Sequence, residues 1–115
     1  MGTIEIESSI RVTRFMPREV KDAAGNVAIV VFDNGEVREQ SKYGRVVLKV
    51  RGSVVYNGTN EIARIDGKRV VDKNGRQIAN LQGSSLYRHP NGSAIAHKIE
   101  QPIDAAAIAA YLLLI

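Results

Sequence analysis

The chain has 115 residues, a length that fits one domain with a single buried core. Hydrophobic residues make up 44% of the sequence and charged residues 24%, which excludes a wholly disordered chain. No cysteine is present, so disulfide bonds, thiolate metal ligands and cysteine nucleophiles are excluded. The net charge of +4 is uneven, because the segment from Lys42 to Lys98 holds eleven lysines and arginines against three acidic residues.

The first 24 residues are predicted to form N-terminal strands and a turn. Ile4 and Ile6 alternate with glutamates, and Ile10 and Val12 alternate with polar residues, which is typical of one or two half-buried strands. Residues 18–25 are predicted to form a turn or a short helical turn. Because the glutamates near the N-terminus do not fit a signal peptide, we expect a cytoplasmic protein.

A repeated block fills residues 25–101. Each block has a glycine, a few residues, an apolar pair, one further residue and another apolar residue, as in EIARIDG (61–67) and QIANLQG (77–83). The blocks begin at Gly25, Gly44, Gly58, Gly75 and Gly92. Asp-Gly and Asn-Gly pairs lie between them, and such pairs accept the positive φ angles of tight hairpin turns. The blocks therefore predict about five β-hairpins.

Alanine follows isoleucine in several blocks, as at Ala63 and Ala79. A small residue repeated at one position indicates crowding, as where several units approach a common axis. A single hairpin is marginally stable in water, so the hairpins have to bury their apolar sides against one another. The sequence predicts a single all-β domain of repeated antiparallel hairpins in a closed or radial, flower-like or barrel-like arrangement.

Residues 102–115, PIDAAAIAAYLLLI, are apolar on every side of a helical projection, which predicts a short buried or membrane-facing helix. Fourteen helical residues extend about 21 Å and a bilayer core is about 30 Å thick, so this segment is predicted not to span a membrane. We expect it to be covered by its own β units or by a second copy of the chain. The candidate residues for self-association are Ile108, Tyr111, Leu112, Leu113, Leu114 and Ile115.

The repeated Ile-Ala blocks with their hairpin turns and the final AAAIAAYLLLI resemble the β-flower proteins, small bacterial proteins whose hairpins are arranged like petals. The resemblance covers residues 44–115, with a looser fit over residues 25–44, and the first two dozen residues lie outside it. It implies four or five hairpin units. Because that family has no assigned activity, the resemblance implies no catalytic or ligand-binding residue.

Few residues suggest catalysis or metal binding. His89 and His97 flank a predicted turn and could face each other across a hairpin, but no further ligands with suitable spacing follow them. Asp33, Asp66 and Asp72 fall in predicted turns, where aspartate caps backbone N–H groups. The sequence contains no phosphate-binding loop and no nucleophile elbow. We therefore predict no enzymatic activity, no cofactor and no metal.

Two functional interpretations remain open. The leading one is a non-catalytic structural or interaction module that self-associates through its C-terminal segment, with the N-terminal strands as a further candidate contact. The alternative is a small basic β domain that binds nucleic acid or another polyanion, with tyrosines as stacking platforms. The candidate residues for polyanion binding are Tyr56, Arg69, Lys73, Tyr87 and Arg88. These basic residues also fit a solvated strand face that keeps sheet edges from pairing with other chains.

Overall fold

The computed structural model describes residues 17–90 and 92–115, so the strands predicted within residues 4–13 lie outside the described residues. The described part contains ten strands followed by one helix. These elements are β1 (Arg18–Asp22), β2 (Val27–Val31), β3 (Glu36–Glu39), β4 (Val46–Arg51), β5 (Val54–Asn57), β6 (Asn60–Asp66), β7 (Arg69–Asp72), β8 (Gln77–Gln82), β9 (Ser85–Arg88), β10 (Ala94–His97) and α1 (Pro102–Leu113).

The ten strands form a closed antiparallel barrel. Each strand pairs with the next one along the chain, and β10 returns to pair with β1 through Lys21 opposite His97. Closure gives every strand two neighbours, so the barrel has no unpaired edge. The predicted all-β arrangement of five hairpins with a short C-terminal helix is therefore confirmed, and the arrangement is closed.

One predicted element is wrong. Arg18–Asp22 forms strand β1, where the sequence predicts a turn or a helical turn. The pattern misleads because Val20 is the single apolar residue in this strand, and its neighbours Glu19 and Lys21 are charged. β1 acquires its conformation by pairing with β2 across the turn at residues 23–26 and with β10 near the other end of the sequence, and no local pattern contains the second of these contacts.

The apolar pairs of the repeated blocks form β-bulges. Ala63 pairs with Val55 and Glu61 pairs with Tyr56, so Ile62 is left without a partner on β5. The pairing shifts at the same place in every even-numbered strand, where the extra residues are Ala28, Val47, Ile62, Ile78 and Ile95. A bulge breaks the alternation of a regular strand, so that two adjacent side chains both contact the core.

Helix α1 lies inside the barrel. Its seven residues 104–110 have no exposed surface, and the helix contacts β2, β4, β5, β6, β7 and β8, which surround it. Ala63 and Ala79 belong to the same core as the alanines of the helix, so small side chains meet on both sides of the contact. The Ile-Ala blocks predict crowding near a common axis, and this helix is what occupies that axis.

An ion pair fixes the first turn of the helix. Asp104 is fully buried, and its two carboxylate oxygens accept hydrogen bonds from Arg18 Nε at 2.8 Å and Arg18 Nη2 at 2.9 Å. Arg18 Nη1 donates to Asp33 Oδ1 at 2.8 Å. The hydrogen bond to Asp104, followed by the attraction of both carboxylates, raises the pKa of Arg18 despite its partial burial. The pair thereby joins the helix to β1 and the turn after β2.

Loss of this pair should destabilise the fold. Asp104→Ala leaves the Arg18 guanidinium, whose side chain is 11% exposed, without its main partner. We expect the free energy of unfolding to fall by about 3 kcal/mol, the lower end of the effect of breaking a buried pair, because Asp33 remains. The matched control is Asp66→Ala, which removes an exposed ion pair to Arg69 and should cost about 1 kcal/mol or less. Urea unfolding of both variants measures the difference, and equal losses would contradict a special role for Asp104.

The enclosed helix should not tolerate larger side chains. Ala106→Leu adds three carbon atoms at a fully buried position, and overpacking of this kind should cost about 1–3 kcal/mol. Ala24→Leu introduces the same group in an exposed turn and should change stability by about 0.5 kcal/mol or less. Thermal or urea unfolding compares the two variants, and an Ala106→Leu chain as stable as the unaltered protein would argue against the enclosed position.

Candidate functional site

The two ends of the barrel carry different groups. The helix begins at the end that holds Arg18 and Asp33 and finishes at the opposite end, where Tyr111 reaches Glu39 at the last position of β3. We call this second end the helix-exit end. It consists of residues 111–115, which are the end of α1 and the two residues after it, together with the turns that join β1 to β2, β3 to β4, β5 to β6, β7 to β8 and β9 to β10.

Exposed apolar side chains concentrate at the helix-exit end. Leu112 and Leu114 are each 37% exposed and Ile115 is 53% exposed. We call these three residues the apolar tip. The other large hydrophobic residues that are exposed in the described part are Tyr43, in the turn after β3, and Val46, at the start of β4. Clustered exposed apolar side chains are typical of interaction surfaces.

Basic residues flank the apolar tip on two sides. Leu114 lines one groove together with Arg76 and Arg88, and this groove has a volume of about 370 Å³. Leu114 also lines a second groove, of about 180 Å³, together with Lys73. Lys73 and Arg76 belong to the turn between β7 and β8, and Arg88 ends β9. We call these three residues the basic rim. The rim and the tip share the walls of both grooves, so they form one continuous surface.

The acidic groups near the rim are already engaged. Asp72 accepts hydrogen bonds from the backbone N–H groups of Asn74 at 2.9 Å and Arg76 at 3.0 Å, which is the capping role predicted for it. Glu61 pairs with Arg64 at 3.2 Å. Among residues 17–90 and 92–115, no ion pair within 4.0 Å joins a carboxylate to any of the three rim residues. The rim charges are therefore available to a partner.

Tyr111 anchors the last buried turn of the helix. Its hydroxyl donates a hydrogen bond of 2.7 Å to Glu39 Oε2, and Arg45 lies 3.5 Å from the other oxygen of the same carboxylate. This hydrogen bond is the largest cause that raises the pKa of Tyr111, followed by burial. The contact ties the helix to β3, so the residues after Tyr111 project from a fixed point.

The predicted self-association residues divide into two groups. Ile108 is fully buried in its own barrel, so the prediction that it contributes to self-association is corrected: it has no surface to offer. Tyr111 is held by Glu39. Leu113 is partly buried against the core, and the remaining three residues are the apolar tip. The residues that can meet a partner are therefore those after Tyr111.

The predicted polyanion-binding residues do not form one site. Arg69 lies at the opposite end and pairs with Asp66 at 2.8 Å, while Lys73 and Arg88 lie at the helix-exit end. Tyr56 on β5 and Tyr87 on β9 are separated by three strands, so they do not make a common stacking platform. The sequence interpretation missed the third rim residue, Arg76, although it lies in the same turn as Lys73.

The two histidines are separated as well. His89 lies in the turn at the helix-exit end, whereas His97 ends β10 and places Nδ1 3.0 Å from Ser85 Oγ. In the described part of the chain, no group of three or more histidine, aspartate or glutamate side chains is placed to hold a metal ion. The hairpin pair that the sequence suggests for a metal does not form.

Comparisons with known proteins found no relative. No protein-family model matches the chain, and neither a curated protein nor a solved structure matches it. The resemblance to the β-flower proteins therefore stays a prediction. Within the residues that the structure describes, no helix has the length and apolar character needed to cross a membrane.

The Tyr111 contact predicts a pH dependence of stability. The pKa of Tyr111 is higher in the folded chain than in the unfolded chain, where it is near 10.0. The stabilisation is therefore complete below about pH 10 and is lost as the pH rises through the higher pKa of the folded state. In Tyr111→Phe the absorbance transition of this phenol should disappear, and unfolding should lose this alkaline dependence. Tyr56→Phe is the control and should retain the absorbance transition of Tyr111 and the alkaline dependence of unfolding. An absorbance transition that is unchanged in Tyr111→Phe would refute the assignment.

Proposed function

We propose that this protein is a non-catalytic interaction module that binds its partner through the helix-exit end. The apolar tip carries the proposal, because three exposed large side chains lie within four residues of one another. Such side chains gain about 1.5–3 kcal/mol each when they become fully buried. Contact with a partner supplies that burial without any change in the barrel.

The arrangement of the titratable groups supports a role other than catalysis. Among residues 17–90 and 92–115, Arg18 and Tyr111 are the two groups with a resolved pKa shift, and each holds one end of the helix in place. Catalytic acids and bases are found in clefts with perturbed pKa values, where a substrate can reach them. Here Arg18 donates to Asp104 and Tyr111 donates to Glu39, so both perturbed groups are engaged within the fold.

Two partners follow from the sequence interpretations. A second copy of the chain could cover the apolar tip, in which case Leu112, Leu114 and Ile115 would form the contact. Nucleic acid could bind the basic rim, and its affinity would then fall steeply as salt increases. Deletion of residues 102–115 cannot test either possibility, because it removes the core of the barrel together with the tip.

The proposal is tested by polar substitution of the tip. Leu114→Ser combined with Ile115→Ser should lower the affinity for the partner about ten- to a hundred-fold for each side chain that the partner buries. Val54→Ser is the control, because Val54 is partly exposed and begins β5 at the opposite end of the barrel. Sedimentation at micromolar concentration, alone and with lipid vesicles or single-stranded DNA, measures association.

The expected result is association with at least one of these three partners (a second copy, lipid vesicles or single-stranded DNA) that the tip substitutions weaken and Val54→Ser preserves. Both variants should unfold like the unaltered chain, since the substituted side chains contribute little to the core. The proposal fails if the unaltered chain associates with none of the three, or if Val54→Ser weakens association as much as the tip substitutions do.

A further inference from the structure

We infer that the helix-exit end docks on the surface of an anionic lipid membrane. The apolar tip enters the region between the headgroups, and the basic rim contacts lipid phosphates. The inference rests on the proposed function, because it names the partner of the same surface. It is carried by the way apolar and cationic side chains are combined at one end of the barrel.

The apolar tip and the basic rim are close enough to meet one partner together. Leu114 shares a groove wall with Arg76 and Arg88 and shares a second one with Lys73. An anionic membrane presents phosphates at its surface and apolar chains directly beneath them. A projecting apolar tip with cations beside it matches that order, since the tip reaches the deeper layer while the rim remains among the phosphates.

The charges of the surface select an anionic partner. Asp72 uses its Oδ1 to cap the turn that holds Lys73 and Arg76, and Glu39 is held by Tyr111 and Arg45. Asp72 also lines the groove of Lys73 and Leu114, so three cations stand against one carboxylate along the two grooves and the charge beside the tip is positive. Each basic residue near an anionic membrane strengthens attachment about five-fold.

A second copy of the chain fits this surface less well. A two-fold symmetric contact through the apolar tip places the same patch of each copy against the other, which brings one basic rim close to the other. Like charges in such a contact oppose it, whereas an anionic membrane attracts them. The same surface therefore favours lipid over a symmetric partner.

Nucleic acid also fits less well. Single-stranded nucleic acid uses cations together with aromatic platforms, but Tyr56 and Tyr87 are three strands apart, and neither belongs to the apolar tip. Leucine and isoleucine side chains offer no stacking surface to a base. A membrane uses both the tip and the rim.

The mode of attachment is peripheral. Residues 104–110 remain enclosed by the barrel, Leu113 packs against the core, and the exposed side chains are those of the tip, so about one helical turn is available for insertion. One turn reaches the boundary between headgroups and acyl chains and goes no deeper. Attachment should therefore be reversible and sensitive to salt.

Vesicle sedimentation tests the role of the rim. The full chain is mixed with vesicles of phosphatidylcholine alone, or of phosphatidylcholine with one third phosphatidylglycerol. The test variant carries Lys73→Gln, Arg76→Gln and Arg88→Gln. The control carries Lys49→Gln, Arg51→Gln and Lys68→Gln, three exposed residues outside the helix-exit end, and has the same net charge.

Binding is expected for the anionic vesicles and should weaken as salt increases. The rim variant should bind on the order of a hundred-fold more weakly, about five-fold for each charge removed, and the control should bind close to the unaltered chain. Equal losses in the rim variant and the control would overturn the inference, because they would show attraction by net charge alone.

A tryptophan reporter tests the insertion of the tip. The chain contains no tryptophan, so a single introduced residue gives the whole indole signal. Ile115→Trp should shift its emission to shorter wavelength with anionic vesicles and should be quenched by lipids that carry a spin label on the acyl chain. Phe32→Trp, directly after β2 at the opposite end of the barrel, is the control and should show neither change. Unchanged emission from Ile115→Trp on vesicle-bound protein would overturn insertion of the tip.

The failure of this inference is distinguishable from the failure of the proposed function. One outcome is that the chain does not bind vesicles but self-associates or binds DNA, and that Leu114→Ser with Ile115→Ser abolishes this association. The membrane inference is then overturned, and the proposed interaction module is retained. If the chain binds none of the three partners, both are overturned. Vesicle binding that requires the rim and the tip supports both.

Discussion

The rest of the structure depends on the space inside a closed ring of ten strands and on the helix that fills it. A barrel of this size has an interior wider than the strand side chains alone can fill, and packed protein interiors leave few empty volumes. Residues 104–110 supply the missing volume, with five alanines that keep the helix narrow. Ala63 and Ala79 on the surrounding strands keep the passage wide enough. The helix fits inside the barrel because the side chains of the helix and of the surrounding strands are small where they meet.

The direction of the helix decides what the surface presents. Arg18 and Asp104 are 86 residues apart in sequence, and their paired hydrogen bonds fix the first turn of the helix at one end of the barrel. Tyr111 and Glu39 fix its last turn at the other end. The residues that follow therefore lie at the helix-exit end, where the turn before β8 and the end of β9 place the basic rim. The proposed binding surface is a consequence of how the core is held.

Much of this architecture could be predicted from local sequence. Asn-Gly and Asp-Gly pairs predict the hairpin turns, and the apolar C-terminal segment predicts the helix, because both signals lie within a few residues. β1 was not predictable, since Val20 alone marks it and its strand conformation comes from closing the barrel. The bulges at Ile62 and its equivalents were missed as well, although adjacent apolar residues in an alternating strand are the signal that marks them.

The candidate site was predictable only in part. The apolar end and two basic residues, Lys73 and Arg88, are visible as residue types, but their placement beside Leu114 depends on the full course of the barrel. Arg69 looks equivalent to them in sequence, yet it lies at the opposite end in an ion pair with Asp66. Net charge along the chain therefore does not locate the surface.

Amide hydrogen exchange of the helix tests the central claim most directly. If residues 105–110 are enclosed by the barrel, their amides become accessible only when the whole domain unfolds, and they should exchange as slowly as the amides of inward-facing strand residues such as Val55 and Val70. The amides of residues 114 and 115 should exchange much faster. Exchange of residues 105–110 well ahead of the strands would show that the helix leaves an intact barrel, and this result would contradict the account.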